Sequence, residues 1–339
     1  MSFSFITGID IGHYSIKAVV LKPVKGTLTL SAYRELIVEE SIFTDNHLLS
    51  YQEIVNKLKQ LRKSLPLFSH KVALSLPDNS VIAKQLHIDN GLSPQERDYA
   101  IIEAFSHQSP FELDELSLDY CQLAHENQSD SSRLIQVYAT KRELVENRMQ
   151  ICRGAGFRPL LFELHSHSLV RLWQVASQQT KRANWLLLDV GHQRCLMVMD
   201  FANALPFSKV LPIGLVNTTE KPQGKLTNGN ANNAAMKVFS ADLAERIARH
   251  LPLLESMGLD HLAGIWLTGG GASLPILSLE LSRRMQVKCQ PLEPFKLIEM
   301  GRSSNKQADG KETLLESDRF SAALGLALLG CDWLEKEHA

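Results

Sequence analysis

Residues 8–21 read GIDIGHYSIKAVVL and residues 186–200 read LLLDVGHQRCLMVMD. In each stretch an apolar strand ends at an aspartate. One apolar residue, a glycine and a short polar turn follow, and a second apolar strand leaves the turn. The copies lie about 180 residues apart, and each heads one half of a chain of 339 residues. One Asp-x-Gly turn is ordinary hairpin composition. A matched pair is not, because turn chemistry alone does not make a second hairpin repeat the first. Two such halves, folded against each other, place both turns across one cleft.

Those turns suit a polyphosphate. A glycine lets the backbone approach phosphate oxygens, and successive N–H groups point at them as an anion nest. Gly12 and Gly191 are placed for this, and Lys17 adds a positive charge near the phosphates. Asp10 and Asp189, at opposite strand ends, are placed to orient waters on a Mg²⁺, which keeps most of its hydration shell. A third element, WLTGGGASLP (266–275), runs from strand through a glycine run into a helix start, with Ser273 as the expected N-cap. Gly269, Gly270 and Gly271 there let a nucleoside lie against bare backbone, and the helix N-terminus favours negative charge. No Lys-Ser/Thr follows, so this is no Walker loop, and the G-x-G-x-x-G spacing is absent.

Between these landmarks the pattern alternates strands with helices. Strands are expected at 5–11, 16–21 and 27–33, and Ser50 is expected to cap a helix over 51–65 that stops at Pro66. A strand at 72–76 precedes a compact unit: strand 81–88, the capping box Ser93-Pro94-Gln95-Glu96 opening a helix to His107, and strands 116–123 and 134–140. A polar loop is expected at 126–132. A helix from Lys141, a strand at 160–164 and a helix over 166–178 follow. The second half adds strands at 185–190, 195–201 and 205–211. Residues 217–234 (NTTEKPQGKLTNGNANNA) read as a loop or linker. Then come a helix over 240–257, a strand at 264–268, a helix over 274–285, a polar stretch at 301–312 and a helix over 319–334. That last helix is expected to pack beneath the glycine triplet.

Composition narrows the class. Lys and Arg number 36 against 37 Asp and Glu, so no global basic excess exists to condense on nucleic acid. With 44% hydrophobic residues the chain fills one or two cores, and disorder is excluded for most of it. No stretch supplies the roughly 20 apolar residues of a membrane span, and the amino terminus lacks a basic signal-peptide region. Five scattered cysteines without C-x-x-C read as reduced thiols of a cytoplasmic protein. His165-Ser166-His167 has ligand-like spacing but lacks a third ligand, so it reads as a surface or helix-start pair. No G-x-S-x-G elbow supports Ser-His-Asp catalysis. The basic run Lys57 to Lys63 reads as a solvated helix face, and Trp266 and Trp333 as packing residues.

Two Asp-Gly hairpins followed by a glycine-rich loop resemble the nucleotide fold shared by actin, sugar kinases and the heat-shock chaperones. Within it, GIDIGHYSIKAVVLK (8–22) is similar to the opening motif of the PilM family, the FtsA-related actin-like proteins of type IV pilus machines. VIAKQLHIDNGLSPQERDYAIIEAFSHQSPFELDELSLDYCQL (81–123) resembles that family's inserted subdomain, and AERIARHLPLLESMG (244–258) with LTGGGASLP its closing helix and adenosine loop. The resemblance spans roughly residues 6–330. It implies an α/β, actin-like, RNase H-like duplicated two-lobed ATPase-type fold with an inserted small α+β subdomain. Residues 1–80 and 141–180 would form the first lobe, 81–140 the inserted subdomain, and 181–339 the second lobe with a reduced cover near 215–240. It further implies that Asp10, Gly12, Ser15 and Lys17 form the first phosphate loop, Asp189 and Gly191 the second, and Gly269, Gly270 and Gly271 the adenosine loop of an ATP/Mg site.

The implied role is a cytoplasmic scaffold of type IV pilus or competence (DNA-uptake) pseudopilus assembly. Such a protein grips the cytoplasmic amino-terminal tail of a PilN-like inner-membrane partner beside the inserted subdomain and meets other pilus assembly proteins. It touches the membrane only through that partner, and nucleic acid has no part. His13 and Tyr14 replace small hydroxyl residues in the first turn, as do His192, Gln193 and Arg194 in the second, so a degenerate nucleotide site is expected. No catalytic residue is identifiable. Two alternatives stand beside this reading: an ATP-dependent sugar or small-molecule kinase of the same superfamily, and a cell-division scaffold like FtsA. The second is disfavoured because no linker and amphipathic helix follow residue 334.

Overall fold

The computed structural model describes residues 5–24, 26–38, 43, 48–123, 132–201, 204–218, 229–301 and 317–337. The first half begins with an antiparallel meander of Ile6–Ile11 (β1), Ser15–Val24 (β2) and Thr27–Ile37 (β3). Aliphatic and β-branched residues run through it without strict alternation because both faces of the sheet are covered. Tyr51–Ser64 (α1) follows, its stripe of Ile54, Val55, Leu58 and Leu61 fully turned into the core. Ser50 holds the N-cap position, but its hydroxyl makes no capping bond. Next come Lys71–Leu76 (β4), Val81–Asp89 (β5), Pro94–Ser106 (α2), Leu116–Gln122 (β6), Ser132–Lys141 (β7), Arg142–Gly154 (α3), Arg158–Leu164 (β8) and His165–Thr180 (α4). The capping box forms as read: the Ser93 hydroxyl accepts from the Glu96 N–H, and the Glu96 carboxylate accepts from the Ser93 N–H.

The second half comprises Trp185–Val190 (β9), Cys195–Met199 (β10), Phe207–Leu211 (β11), Gly229–Ser256 (α5), Gly264–Thr268 (β12), Pro275–Met285 (α6), Lys288–Pro291 (β13), Glu299–Met300 (β14) and Ser321–Glu337 (α7). Three readings change here. Residues 229–234, taken as loop, are the first turns of α5. Extending a helix is cheap once an apolar stripe has nucleated it, and alanines among the asparagines permit it. Leu274, not Ser273, is the N-cap of α6, with Pro275 at its first position. β13 and β14 went unread because four residues with a terminal proline, and a two-residue bridge at a sheet edge, carry no strand pattern. The polar loops expected at 126–132 and 301–312, and residues 219–228, lie almost wholly outside the described residues.

The main sheets have the orders β14-β3-β2-β1-β4-β8 and β11-β10-β9-β12-β13. Set β14 aside and the orders are the same: a meander whose first strand pairs in parallel with the next strand, which pairs in parallel with the last. Leaving out the insert after β4, each half reads βββαβαβα. The duplication legible in two hairpins therefore extends to whole lobes. The insert is a three-stranded antiparallel sheet, β5-β7-β6, with α2 on one face over its own core of Leu86, Ile101, Phe105, Ile135 and Val137.

The terminal helix of each half crosses to the other. α4 packs on α7 and reaches β9 and β10, while α7 lies on β1, β2 and β4. Residues 321–328 of α7 are all buried, as suits a helix apolar on every side. Its lead-in, 317–320, meets the glycine triplet, with the Asp318 carbonyl accepting from the Gly269 N–H. So α7 and β14 complete the first sheet, although they lie within the 181–339 range read as the second lobe. Four of the five cysteines are buried, Cys121 is exposed, and all are free thiols. No helix among the described residues is long and apolar enough to cross a membrane.

Candidate functional site

The two hairpins close identically. The Gly12 N–H donates to the Ser15 carbonyl at 3.0 Å, and the Gly191 N–H donates to the Arg194 carbonyl at 3.0 Å. Asp10 sits across from Lys17 in the first ladder, and Asp189 across from Leu196, which occupies the equivalent position in the second. A Cβ on Gly191 would lie 2.7 Å from the Arg194 oxygen, so that turn admits only glycine. Residues 214–216 brace it, with Leu215 N–H donating to Gly191 and Val216 N–H to His192.

Both turns open on one cavity of about 350 Å³ between the lobes. Asp10, Gly12, Ser15, Lys17, Asp189, Gly191, Gly269 and Gly270 line it. Gly271 instead packs under Val190, where a Cβ would come within 2.5 Å of the Val190 side chain. Gly269 has φ +79°, and its Cβ would meet Asp189 Oδ1 at 2.5 Å; Gly270 faces open space. The triplet is anchored from behind, since the Asp318 carbonyl accepts from Gly269 N–H at 3.2 Å and from Thr268 Oγ1 at 2.7 Å.

The centre of the cleft holds a residue the sequence reading had set aside. His165, the first residue of α4, lies with Nδ1 3.7 Å from Asp10 Oδ1 and Nε2 3.7 Å from Asp189 Oδ2. The imidazole stands between the two carboxylates. Burial pulls its pKa down, but contact with Asp189 and the charges of Asp10, Asp189 and Asp78 outweigh burial and hold it up to about 9. Asp78, at the exit of β4, also accepts from the Ser166 N–H at 3.2 Å and so caps α4. A histidine opening a helix is a cation at the wrong end of the dipole unless carboxylates face it, and that was the available signal.

Other side chains are also committed. The Ser15 hydroxyl donates to Glu35 at 2.6 Å, and Glu35 in turn faces Arg319 at 3.7 Å. Lys17 Nζ lies 3.9 Å from Asp10. The bulky turn residues meet across the mouth: the Tyr14 and His192 rings are 6.0 Å apart, and His13 stacks on Phe43 at 4.3 Å. No cluster of three or more metal-type ligands occurs among the described residues.

Two βββαβαβα lobes, joined by crossed helices and facing each other through paired Asp-x-Gly turns, define the actin-like ATPase-type fold. A solved PilM–PilN type IV pilus biogenesis complex aligns over 96% of this chain and 98% of that one, with 22% identity and a TM-score of 0.73. The ethanolamine utilization protein EutJ from Carboxydothermus hydrogenoformans aligns over 97% and 90%, with 12% identity and a TM-score of 0.53. The sequence pattern of the family described as type IV pilus assembly protein PilM matches residues 8–210 and 217–331. The chain belongs to that family and is an actin-like protein of type IV pilus assembly.

Proposed function

We propose that this protein is a scaffold that holds the cytoplasmic amino-terminal tail of a PilN-like inner-membrane protein, and that its inherited nucleotide site is degenerate. The observation that carries the first part is the seam where the inserted sheet meets the first lobe. α2 covers the face bearing Ile135, Val137 and Ala139. The opposite face carries Tyr138 on β7 and Cys121 on β6, and it turns toward Glu163 and His167 of the first lobe. Tyr138 Oη approaches His167 Nε2 at 3.5 Å, and His167 Nδ1 meets Glu163 at 2.8 Å. An extended peptide suits such a seam, held by backbone hydrogen bonds and a few side-chain pockets. The related solved structure is itself a PilM–PilN complex. The test is titration with a synthetic peptide of the cytoplasmic amino-terminal tail of a PilN-like protein from the same organism. Binding should weaken at least about tenfold in Tyr138→Ala, since truncating one central aromatic commonly removes about 1–2 kcal/mol. Equal affinity in the variant, or none in the wild type, would refute the placement.

The cleft residues fit a nucleoside better than they fit a metal. Gly269 and Gly270 present bare backbone to the cavity. A hydrated Mg²⁺ shared by the two carboxylates does not fit, because the His165 imidazole stands at that point, and the Ser15 hydroxyl is given to Glu35. Calorimetry should therefore find ATP binding that is weak, with a dissociation constant above about 100 μM, and indifferent to Mg²⁺. Tight stoichiometric binding of Mg-ATP would overturn this. Scaffolding by a tail grip places the chain at the inner membrane through its partner, in pilus or DNA-uptake pseudopilus machinery.

A further inference from the structure

We infer that the turn Pro66–Ser69, at the end of the first lobe opposite the cleft, is a docking tip for an anionic bilayer surface. The fold holds two large apolar side chains out in water there: Leu67 is 75% exposed and Phe68 67%. Nothing about the turn is loose. The Ser69 N–H donates to the Pro66 carbonyl at 3.1 Å, and the Ser69 hydroxyl donates to it at 2.6 Å. Ser69 is itself fully buried, its carbonyl accepting from Thr7. The Arg62 guanidinium donates to the Pro66 and Leu67 carbonyls at 3.2 and 2.5 Å. The two flanking anchors point inward, so the two central side chains point out.

Charge decides the occupant. Residues 54–77, IVNKLKQLRKSLPLFSHKVALSLP, contain Lys57, Lys59, Arg62, Lys63 and Lys71 and no acidic residue. Lys59 and Lys63, four apart on α1, are exposed beside the turn, and Arg158 is exposed next to His70, whose carbonyl accepts its N–H at 2.7 Å. Glu335, near the end of α7, belongs to a helix on the other face of the sheet. Apolar residues on a rigid tip within a basic collar match an anionic lipid surface: the pair enters the interface while lysines and arginines meet headgroups. β4 leaves this tip and carries Ser75 and Pro77 to the cleft at its far end. Docking here therefore leaves the cleft and the inserted subdomain free. The contact is direct and adds to any hold through a partner, and it does not rest on the readings of cleft or seam.

The test is co-sedimentation of the full chain with vesicles of equal parts phosphatidylglycerol and phosphatidylcholine. Binding should fall about tenfold on pure phosphatidylcholine, about tenfold in the double variant Leu67→Ser/Phe68→Ser, and strongly at about 0.5 M salt. Because both side chains already stand in water, the double variant should keep the wild-type melting temperature. Three outcomes would overturn the inference: no sedimentation of the wild type with anionic vesicles, undiminished sedimentation of the double variant, or a concentration-dependent dimer lost in that variant while vesicles are ignored.

Discussion

Gly325→Ala should destabilise this protein by about 3 kcal/mol or more, although alanine is the better helix former by about 1 kcal/mol. A Cβ at 325 would stand 1.9 Å from the Ser168 carbonyl oxygen of α4. The obstacle is backbone, so no rotamer change relieves it. On the opposite side of α7, a Cβ on Gly8 of β1 would lie 2.0 Å from the Ala323 carbonyl and 2.5 Å from the Ala327 nitrogen. α7 is thus gripped between a strand of one lobe and the crossing helix beside it, at two points where only glycine allows the approach. Forcing it away from α4 presses it into β1 and opens the core that both lobes share. Urea or thermal unfolding measures the effect, with a melting shift of roughly 5 °C or more. Gly270→Ala is the control, since no atom lies within 4 Å of its added Cβ, and it should move stability by less than about 1 kcal/mol. Similar melting of Gly325→Ala and wild type would show that the helices separate easily, and the shared-core account would fall.

What was legible in the sequence follows from how local each signal is. Asp10 with Gly12 and Asp189 with Gly191 are written within single hairpins, so their pattern and repetition survive in one dimension. The Ser93 capping box is equally local, and it forms atom for atom. The end of the first lobe is different. That α7 returns to β1 at Gly8, more than 300 positions away, and that Gly325 meets α4 at Ser168, about half that distance along the chain, are facts of long-range packing. In sequence, Gly325 reads only as a weak point in a helix. Short edge strands such as β13 carry too few residues to show any period.

The candidate site divides along the same line. The hairpin residues line one cavity together with Gly269 and Gly270, while Gly271 packs under Val190. The partners of their side chains were not readable. The resemblance implies Ser15 in the first phosphate loop, yet its hydroxyl is taken by Glu35, twenty residues on along the neighbouring strand. His165 was weighed only with its sequence neighbour His167. In space the two diverge, one to the cleft and the other to the Glu163–Tyr138 seam.

His165→Gln should remove most of the pH dependence of stability between about pH 6.5 and 9, a term of up to about 3 kcal/mol in the wild type. The histidine is held up to about 9 in the folded chain, against an ordinary value near 6.5. A group raised on folding stabilises the folded state fully below its unfolded pKa and ceases to do so as pH climbs through its folded pKa. Wild-type stability therefore declines across that window, and glutamine, which cannot be charged, has nothing to lose there. At pH 6 the variant should be about 2 kcal/mol less stable, because Asp10 and Asp189 then face each other across the lobes without a cation between them; near pH 10 the two proteins should converge. The buried thiols of Cys152 and Cys331, pushed up to about 12 by burial, weaken the fold only above about pH 9, and they do so equally in both proteins. The difference between the two curves thus isolates the imidazole. His165→Ala extends the argument, since it empties the point between the carboxylates. Millimolar Mg²⁺ should raise its melting temperature by a few degrees while leaving the wild type unmoved. A wild-type curve that is flat from pH 6.5 to 9, or an equal Mg²⁺ response in both proteins, would mean that the two lobes are not held together through this histidine.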